Sequence, residues 1–230
     1  MSEAQVVAFV HAKGSSTRVP GKNLRVLGDR PLVAHAIAIA RATPSIDEVV
    51  IDSDSDEILA LGVAHGAVAL RRPPALASNA ATGDDLAYWQ ASSRPRSRIC
   101  VQVIPTAPFL EPASVGRAIA LLDEDDVHSV AAVAEDALYL WRDDRPAYFG
   151  AAGAIPNSDR LPKTRWETTG LYANRTEVVL RTRRRMDPER CRALVVSRLE
   201  SVDINTPEDF AYAEILWRGL HGDAVARATR

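Results

Sequence analysis

Short apolar, β-branched segments alternate with longer helical patterns along most of the chain, and this alternation limits the possible folds more than any other feature. The segments with strand character span residues 5–10, 48–52, 68–70, 98–104, 130–133, 170–173, 193–196 and 200–204. Those with helical spacing or a helix-start signal span residues 31–42, 56–65, 82–92, 112–123 and 208–220. Such alternation predicts an α/β domain whose mainly parallel sheet is covered by helices on both faces.

The composition is that of an ordinary globular protein. Apolar residues make up 47% and charged residues 25% of 230 residues, and 28 cations against 30 acids leave a net charge of −2. No general attraction to nucleic acid or to a membrane follows from that charge. Two cysteines, Cys100 and Cys191, are too few for a disulfide framework. With no apolar run of the ~18 residues that a span needs, we expect one cytoplasmic domain over residues 1–230, without nucleic-acid or membrane partners.

In an open parallel sheet, ligands bind outside the carboxyl ends of the strands. The loops that should surround one crevice are therefore those after residues 10, 52, 70 and 104. Asp52, Asp54 and Asp56 alternate with serines at one of these strand ends. At that position they favour an Asx turn and a cap for the next helix over a metal site.

The loop after the first strand carries the strongest chemical signal. Residues 11–23 read HAKGSSTRVPGKN and contain three cations, Lys13, Arg18 and Lys22. Small residues let backbone N–H groups approach an anion, and cations neutralise it, as in phosphate sites. Six residues separate Gly14 from Gly21, which excludes a Walker A loop, and no GxGxxG fingerprint is present. The loop predicts a phosphate cradle of another kind, with a flexible basic turn as the alternative.

Further motifs follow this loop in a fixed order. They read RVPGKN and GDRPLVAHAI, then DEVVIDSDSDEI at 47–58, RRPPALASN at 71–79, PTAPF at 105–109, TGLY at 169–172 and SVDINTPED at 201–209. In this order, over about 200 residues, the chain resembles the acylneuraminate cytidylyltransferase family. The resemblance implies a Rossmann-like, GT-A-like nucleotidyltransferase fold, a three-layer sandwich with a mainly parallel sheet and a dimerisation insertion.

The resemblance also implies an activity. Family members transfer CMP from CTP to a sugar acid, here a nonulosonate-like or related small acidic acceptor, release pyrophosphate and use Mg²⁺. They usually pair into homodimers through an insertion. Residues 135–167 suit that insertion, because they have no clean period and are rich in turn residues and aromatics, namely Tyr139, Trp141, Tyr148, Phe149 and Trp166. A lid over the site is the other interpretation of this segment.

Residue by residue, the resemblance assigns the CTP site. The triphosphate would be held by the side chains of Lys13, Arg18 and Lys22 and by the backbone of Ala12, Gly14, Ser15 and Ser16. Asn23 would support the nucleotide, and the residues against the cytosine would be Arg72, Ala77, Ser78 and Asn79. Mg²⁺ would be bound by Asp203 and Asn205. Two alternatives stay open: Asp203 braces the helix start at Thr206, and Arg72 is a solvated surface residue.

The acceptor side departs from the family pattern. The residues that would contact the acceptor are Gln102, Ile104, Thr106, Trp166 and Tyr172. Ile104 stands where the family has a glutamine, and Trp166 stands where it has an arginine suited to a carboxylate. Nearby replacements for those two polar groups are Gln102, Lys163 and Arg165. A cytidylyltransferase is therefore better supported than a sialic-acid enzyme.

The nucleotide side departs at three positions. Lys13 replaces an arginine, Thr17 replaces a lysine beside Arg18, and Asn205 replaces an aspartate. Two other functions stay open on these residues. Transfer to a phosphorylated or phosphonate acceptor, with CTP or another nucleoside triphosphate, would explain Ile104 and Trp166. A non-catalytic binding module would explain Asn205, because an amide binds Mg²⁺ more weakly than a carboxylate.

Overall fold

The computed structural model describes residues 5–16, 18–147 and 154–228. Thr17, Tyr148 and Phe149 lie outside these ranges. The strands are β1 (Val6–His11), β2 (Val26–Leu27), β3 (Arg30–Pro31), β4 (Glu48–Ser53), β5 (Val68–Arg71), β6 (Ile99–Val103), β7 (Ser129–Ala137), β8 (Trp141–Arg142), β9 (Arg145–Pro146), β10 (Lys163–Arg175) and β11 (Cys191–Val195). The α-helices are α1 (Leu32–Arg41), α2 (Asp56–Ala64), α3 (Gly83–Ser93), α4 (Pro112–Leu121), α5 (Thr176–Thr182) and α6 (Pro207–Ala228).

Seven strands form the central sheet, in the order β11-β7-β10-β6-β1-β4-β5. β1 pairs in parallel with both β4 and β6, β4 with β5, and β11 with β7. Only β10 runs antiparallel to its neighbours among the strands of this sheet. The expected α/β class with a mainly parallel sheet is confirmed, and the carboxyl ends of β1, β4, β5 and β6 meet at one edge.

Alternate residues of β1 enter two separate cores, which is why its sequence is apolar throughout. Val10 packs with Ile37 of α1 and Ile51 of β4 on one face of the sheet. Phe9 packs with Val50 and with Val179 of α5 on the other face. A strand covered on both faces loses the polar–apolar alternation of a half-buried strand. Helices on both faces of the sheet therefore hold β1 in place, together with the edge at which its carboxyl end lies.

Two segments differ from the sequence-based expectation. Residues 200–204 form no strand; this stretch is a turn followed by irregular chain. It is attached to the loop after β6, where Ile204 N donates to Thr106 O at 2.9 Å. Helix α5 has only 7 residues and gave no readable helical period. Short elements of this kind are fixed by tertiary packing, since an isolated helix of such length is not stable in water.

The segment 135–167 is more regular than its sequence indicates. Its two ends extend β7 and β10, which pair from Lys163 opposite Ala137 to Glu167 opposite Val133. Between them, β8 and β9 form a short hairpin. The regularity comes from pairing between two segments about 30 residues apart in the sequence. Such long-range pairing leaves little trace in the local hydrophobic period. No helix in the described ranges has both the length and the apolar character that crossing a membrane requires.

Candidate active site

The loop after β1 is anchored to its neighbours at three points. Ala12 N donates to Asp52 O at 3.0 Å, and Gly14 N donates to Asp54 Oδ1 at 2.9 Å. Asn23 Nδ2 donates to Lys13 O at 2.9 Å. A Cβ on Gly14 would lie 2.9 Å from Ser55 Cβ, so only glycine fits this approach. The described part of the loop is thus a defined turn, and its backbone reaches the carboxyl ends of β1 and β4.

The three cations of the loop lie against segments far away in sequence. Lys13 Nζ donates to Asn79 Oδ1 at 2.8 Å, which brings the loop to the segment after β5. Arg18 Nη2 donates to the side-chain oxygen of Asn205 at 3.0 Å. Lys22 Nζ donates to Ile204 O at 2.8 Å. All three partners are uncharged oxygens, so none of these three contacts is an ion pair.

Electrostatics also places Lys22 beside the residues near the start of α6. Burial lowers the pKa of the Lys22 ammonium, and the neighbouring Arg18 guanidinium adds to that effect. Asp203 and Asp209 raise the same pKa and partly offset both causes. Two cations, Lys22 and Arg18, and two carboxylates, those of Asp203 and Asp209, therefore act on one another in this partly buried region.

Asp203 has one carboxylate oxygen bonded and one without a partner. Its Oδ2 accepts from Thr169 Oγ1 at 2.9 Å and from Asn205 Nδ2. Its Oδ1 is buried and has no hydrogen-bond partner in the part of the chain that the structure describes. Asp209, and not Asp203, braces the helix start, because its Oδ2 accepts from the backbone N–H groups of Asn205 and Thr206. The bracing alternative for Asp203 is therefore wrong.

An orphaned carboxylate oxygen fits a magnesium ligand, since Mg²⁺ prefers hard oxygen donors. Among the residues of the described ranges, no three or more His, Cys, Asp or Glu side chains gather into a metal cluster. A site with one carboxylate, one amide oxygen and ligand phosphates needs no such cluster. The donor set at Asp203 and Asn205 is therefore compatible with magnesium, and its binding there stays a prediction.

The strand that delivers Thr169 to Asp203 is bulged. The β7–β10 pairing shifts register between Glu167 and Tyr172, and Thr169 adopts φ 55°. A β-branched residue in this left-handed region is strained. Gly170 follows, where a Cβ would lie 2.5 Å from Ala107 Cβ. Strain of this kind persists where the surroundings enforce it, and here it places a hydroxyl on the Asp203 carboxylate.

Arg72 is buried in an ion pair. Its Nε donates to Asp52 Oδ1 and its Nη2 donates to Asp52 O, each at 3.0 Å. The side chains of Arg72 and Asp52 are 3% and 0% exposed. The interpretation of Arg72 as a solvated residue is therefore wrong, and so is a capping role for Asp52. Ser55 caps α2 instead, through its side-chain contact with Ile58 N at 3.5 Å.

A cavity of about 610 Å³ opens beside this ion pair. It is lined by Asp54, Arg71, Arg72, Pro73, Pro74, Ala77 and Ser78. Three of the four residues that the resemblance assigns to the cytosine, Arg72, Ala77 and Ser78, are among them. The fourth, Asn79, is next in the chain and accepts a hydrogen bond from Lys13. A larger cavity of about 720 Å³ lies between the β2–β3 hairpin and α6, around Trp217. It contains none of the loops at the carboxyl ends of the parallel strands.

Buried polar side chains continue from Asp52 across the sheet. Gln90 Nε2 donates to Asp52 Oδ2 at 2.8 Å, and Gln102 Nε2 donates to Gln90 Oε1 at 2.7 Å. Because a carboxylate only accepts hydrogen bonds, Asp52 fixes the orientation of both amides. Gln102 Oε1 is left buried, with no partner among the residues described.

The neighbours of Gln102 on the same face are Tyr172 and His11. The Tyr172 hydroxyl donates to Glu167 Oε2 at 2.7 Å, and burial raises its pKa, so it stays protonated. Arg185 lies over the Tyr172 ring, with Cζ 4.1 Å from the ring centroid. Burial, followed by the charges of Arg72 and Arg185, lowers the pKa of His11 to about 3. His11 is thus a neutral imidazole at the end of β1.

The other acceptor-side candidates have different positions. Ile104 N donates to Gly170 O at 3.0 Å and Thr106 O accepts from Ile204, so both act through their backbone. Trp166 is 39% exposed and pairs with Ala134 on the β7–β10 ladder, outside this cluster of contacts. Lys163 and Arg165 both form ion pairs with Glu135, at 2.9 and 2.7 Å. Both cations are therefore paired with Glu135 in this structure, with side chains 71% and 55% exposed.

The family model described as cytidylyltransferase matches residues 7–216. The chain belongs to the cytidylyltransferase family. It is 30% identical over 202 residues to the 3-deoxy-manno-octulosonate cytidylyltransferase of Myxococcus xanthus, covering 78% of this chain and 76% of that one. It is 26% identical over 225 residues to the CMP-N,N'-diacetyllegionaminic acid synthase of Legionella pneumophila, covering 92% and 96%. The resemblance read from the sequence is confirmed.

Solved structures support the fold of this cytidylyltransferase. The structure of CMP:2-keto-3-deoxy-manno-octonic acid synthetase complexed with CTP aligns with a TM-score of 0.69 at 14% identity, covering 92% of this chain and 98% of that one. A 4-diphosphocytidyl-2C-methyl-D-erythritol synthase from Anaerococcus prevotii aligns with a TM-score of 0.66 at 14% identity, covering 93% and 96%. The expected nucleotidyltransferase fold is confirmed, as is a CTP-dependent cytidylyltransferase as the class of enzyme.

The sequence does not single out three polar residues that the structure brings into this region. Asp52 was read as a cap, because a buried partner 20 residues away is invisible to local patterns. Glu167 carries no motif. Arg185 belongs to a basic run, residues 181–185 (RTRRR), that is typical of a solvated surface. Only the packing of Arg185 against Tyr172 of β10 and Gly83 of α3 distinguishes it from the arginines beside it.

Asp52→Asn tests the buried ion pair. Removing the carboxylate leaves the Arg72 cation buried without compensation, which costs about 3–5 kcal/mol of unfolding free energy. Asp123→Asn is the matched control, since Asp123 pairs with Arg98 at the surface with side chains 65% and 48% exposed. Surface pairs are worth about 0–1 kcal/mol. Urea denaturation of both variants measures the difference, and equal losses would contradict a structural role for Asp52.

His11→Asn tests the neutral imidazole through pH. The unfolded chain takes up a proton near pH 6.5, whereas folded His11 takes it up only near pH 3. The stability that His11 contributes is thus complete above pH 6.5 and falls below it, by up to about 1.4 kcal/mol per pH unit. In denaturation curves between pH 7 and 5, the wild type should lose about 2 kcal/mol more than the variant. An equal loss in the wild type and the variant would show that folded His11 takes up its proton as readily as the unfolded chain does, and would contradict the lowered pKa.

Proposed function

We propose that this cytidylyltransferase transfers CMP from CTP to a sugar acid and releases pyrophosphate. The observation that carries the proposal is a single loop with three cations, Lys13, Arg18 and Lys22, whose hydrogen-bond partners are uncharged. Arg18 and Lys22 contact Asn205 and Ile204, next to Asp203 with its unpartnered oxygen. The names of the Myxococcus and Legionella relatives, which specify 3-deoxy-manno-octulosonate and N,N'-diacetyllegionaminic acid, support the acceptor class.

The cations bind the triphosphate and stabilise the departing pyrophosphate. Phosphoryl transfer is accelerated mainly by positioning and by charge stabilisation. Phosphate oxygens can replace Asn79 Oδ1, Asn205 Oδ1 and Ile204 O as acceptors without breaking an ion pair. The backbone N–H groups of Ala12 and Gly14 already donate to Asp52 O and Asp54 Oδ1, so in this proposal they hold the loop in position and do not bind the triphosphate themselves.

The cavity after β5 receives the base. Pro73 and Pro74 stiffen one wall, and the Asp52–Arg72 ion pair fixes another. A rigid pocket of this kind discriminates a pyrimidine from a purine by size, and its polar groups discriminate cytosine from uracil by hydrogen-bond pattern. Asn23, bonded to the Lys13 carbonyl, holds the loop over the nucleotide.

Asp203 and Asn205 would hold Mg²⁺, with Thr169 keeping the carboxylate oriented. When bound, the ion neutralises charge on the phosphate oxygens. An amide in place of a second carboxylate leaves the protein with one fewer negative charge at this position. The phosphates of CTP therefore supply a larger part of the ion's coordination in this proposal.

Activity assays test the proposal directly. The wild type should release pyrophosphate from CTP with at least one acceptor of a panel containing 3-deoxy-manno-octulosonate, N-acetylneuraminate, legionaminate and pseudaminate. Lys22→Met and Asp203→Asn should each lower kcat by about 10²–10³, the scale of losing one transition-state contact. Asp123→Asn, remote from the loop, is the control and should keep full activity. Turnover only with a phosphorylated acceptor, or only with another nucleoside triphosphate, would overturn the proposal.

We also propose that the enzyme is a homodimer that pairs through the segment 135–167. The hairpin region carries Trp141 and Ile155 at 65% and 68% exposure. Exposed large apolar side chains in one region mark association surfaces. Sedimentation equilibrium should give twice the chain mass of 25.0 kDa, and Trp141→Glu should shift the population toward monomer. A wild-type monomer at micromolar concentration would contradict this assembly.

A further inference from the structure

We infer that Arg185 binds the carboxylate of the acceptor. The inference rests on the proposed function, because it assigns a specificity residue to that same site. Neither the motifs in the sequence nor the family resemblance identifies this residue. Three observations support it: the position of the Arg185 guanidinium, the ion pairs that the other nearby cations already form, and the chemistry of a sugar acid.

Three contacts, with β10 and α3, define the position of Arg185. Its Cζ lies 4.1 Å from the centroid of the Tyr172 ring on β10. A Cβ added to Gly83, the first residue of α3, would lie 2.6 Å from the same Cζ. The backbone N–H of Arg185 donates to Asp84 Oδ1 at 2.8 Å, which anchors the segment after α5 to α3. The cation is therefore packed between a ring and a backbone, a more defined position than that of a solvated arginine.

The other cations near the acceptor side are already engaged. Lys163 and Arg165 pair with Glu135, and Arg72 pairs with Asp52. The Arg185 guanidinium, in contrast, packs on the Tyr172 ring and forms no ion pair with a carboxylate in the described ranges. Arginine binds a carboxylate through two parallel charge-assisted hydrogen bonds, so an unpaired guanidinium is a strong site for one.

The uncharged candidates offer little to a carboxylate. Gln102 is 2% exposed, and its amide nitrogen donates to Gln90. The orientation imposed by Asp52 leaves Gln102 with a buried acceptor oxygen, which has no proton to donate to a carboxylate. Ile104 and Trp166, which occupy the two family positions, carry no charge.

The chemistry of the acceptor requires the carboxylate partner to lie close to the reacting centre. In a 2-keto sugar acid, the carboxylate and the hydroxyl that attacks phosphorus are attached to the same carbon. Tyr172 connects the two regions: Arg185 packs on its ring, and the charges of both Arg185 and Asp203 act on its hydroxyl. A carboxylate on Arg185 therefore places the neighbouring hydroxyl toward the Asp203 side of the crevice.

Arg185→Gln tests the assignment in steady-state kinetics with CTP and the best acceptor of the panel. We expect the KM for the acceptor to rise about 10- to 100-fold, the scale of losing a charge-assisted hydrogen bond, with the KM for CTP unchanged. Arg185→Lys should restore part of the loss. The matched control is Arg183→Gln, because Arg183 belongs to the same segment and its Cζ lies 4.8 Å from the Tyr88 ring; its kinetics should equal those of the wild type.

A second comparison removes the charge from the acceptor instead. The wild type should lose affinity for the same sugar with its carboxylate converted to a carboxamide, and Arg185→Gln should not discriminate between the two acceptors. Full discrimination by Arg185→Gln, or an unchanged acceptor KM in a variant that melts like the wild type, would overturn the assignment alone. No pyrophosphate release by the wild type with any sugar acid would overturn the proposed function, and the assignment with it.

Discussion

The buried pair of Asp52 and Arg72 organises the site edge of this cytidylyltransferase. It joins the end of β4 to the chain after β5, and Gln90 extends it to α3. Two charges out of water are tolerated only when their remaining hydrogen-bonding groups are satisfied, and here Gln90 and the Asp52 carbonyl meet that requirement. The carboxylate can only accept, so the pair also determines the orientation of the amides of Gln90 and Gln102.

The loop after β1 follows the opposite principle. Its cations contact amide and carbonyl oxygens, and its own backbone is bonded at Ala12 and Gly14. The cations are therefore positioned by uncharged groups, and under the proposed function they need little reorganisation to bind an anion. Across the crevice, the strained Thr169 keeps one oxygen of Asp203 occupied and leaves the other free.

The two halves of the site relate differently to the family pattern. The nucleotide half keeps residues of suitable chemistry near the matching positions, with amides and lysines in place of some acids and arginines. At the two positions that the resemblance assigns to the acceptor, Ile104 and Trp166 carry no charge, and the cation packed against the Tyr172 ring comes from residue 185. Under the proposed function, this difference between the two halves is expected where one reaction serves different acceptors.

The sequence by itself determined the α/β class and most of the strands and helices, because apolar period and residue type are local properties. It also named Lys13, Arg18, Lys22 and Asp203 through the family motifs, although their roles stay predictions. The tertiary structure alone decided the short helix α5, the β7–β10 pairing and the loss of a strand at 200–204. It also decided the partner of Asp52 and the distinction of Arg185 from its basic neighbours. These features depend on contacts between segments distant along the chain, and such contacts leave no period and no motif in the sequence.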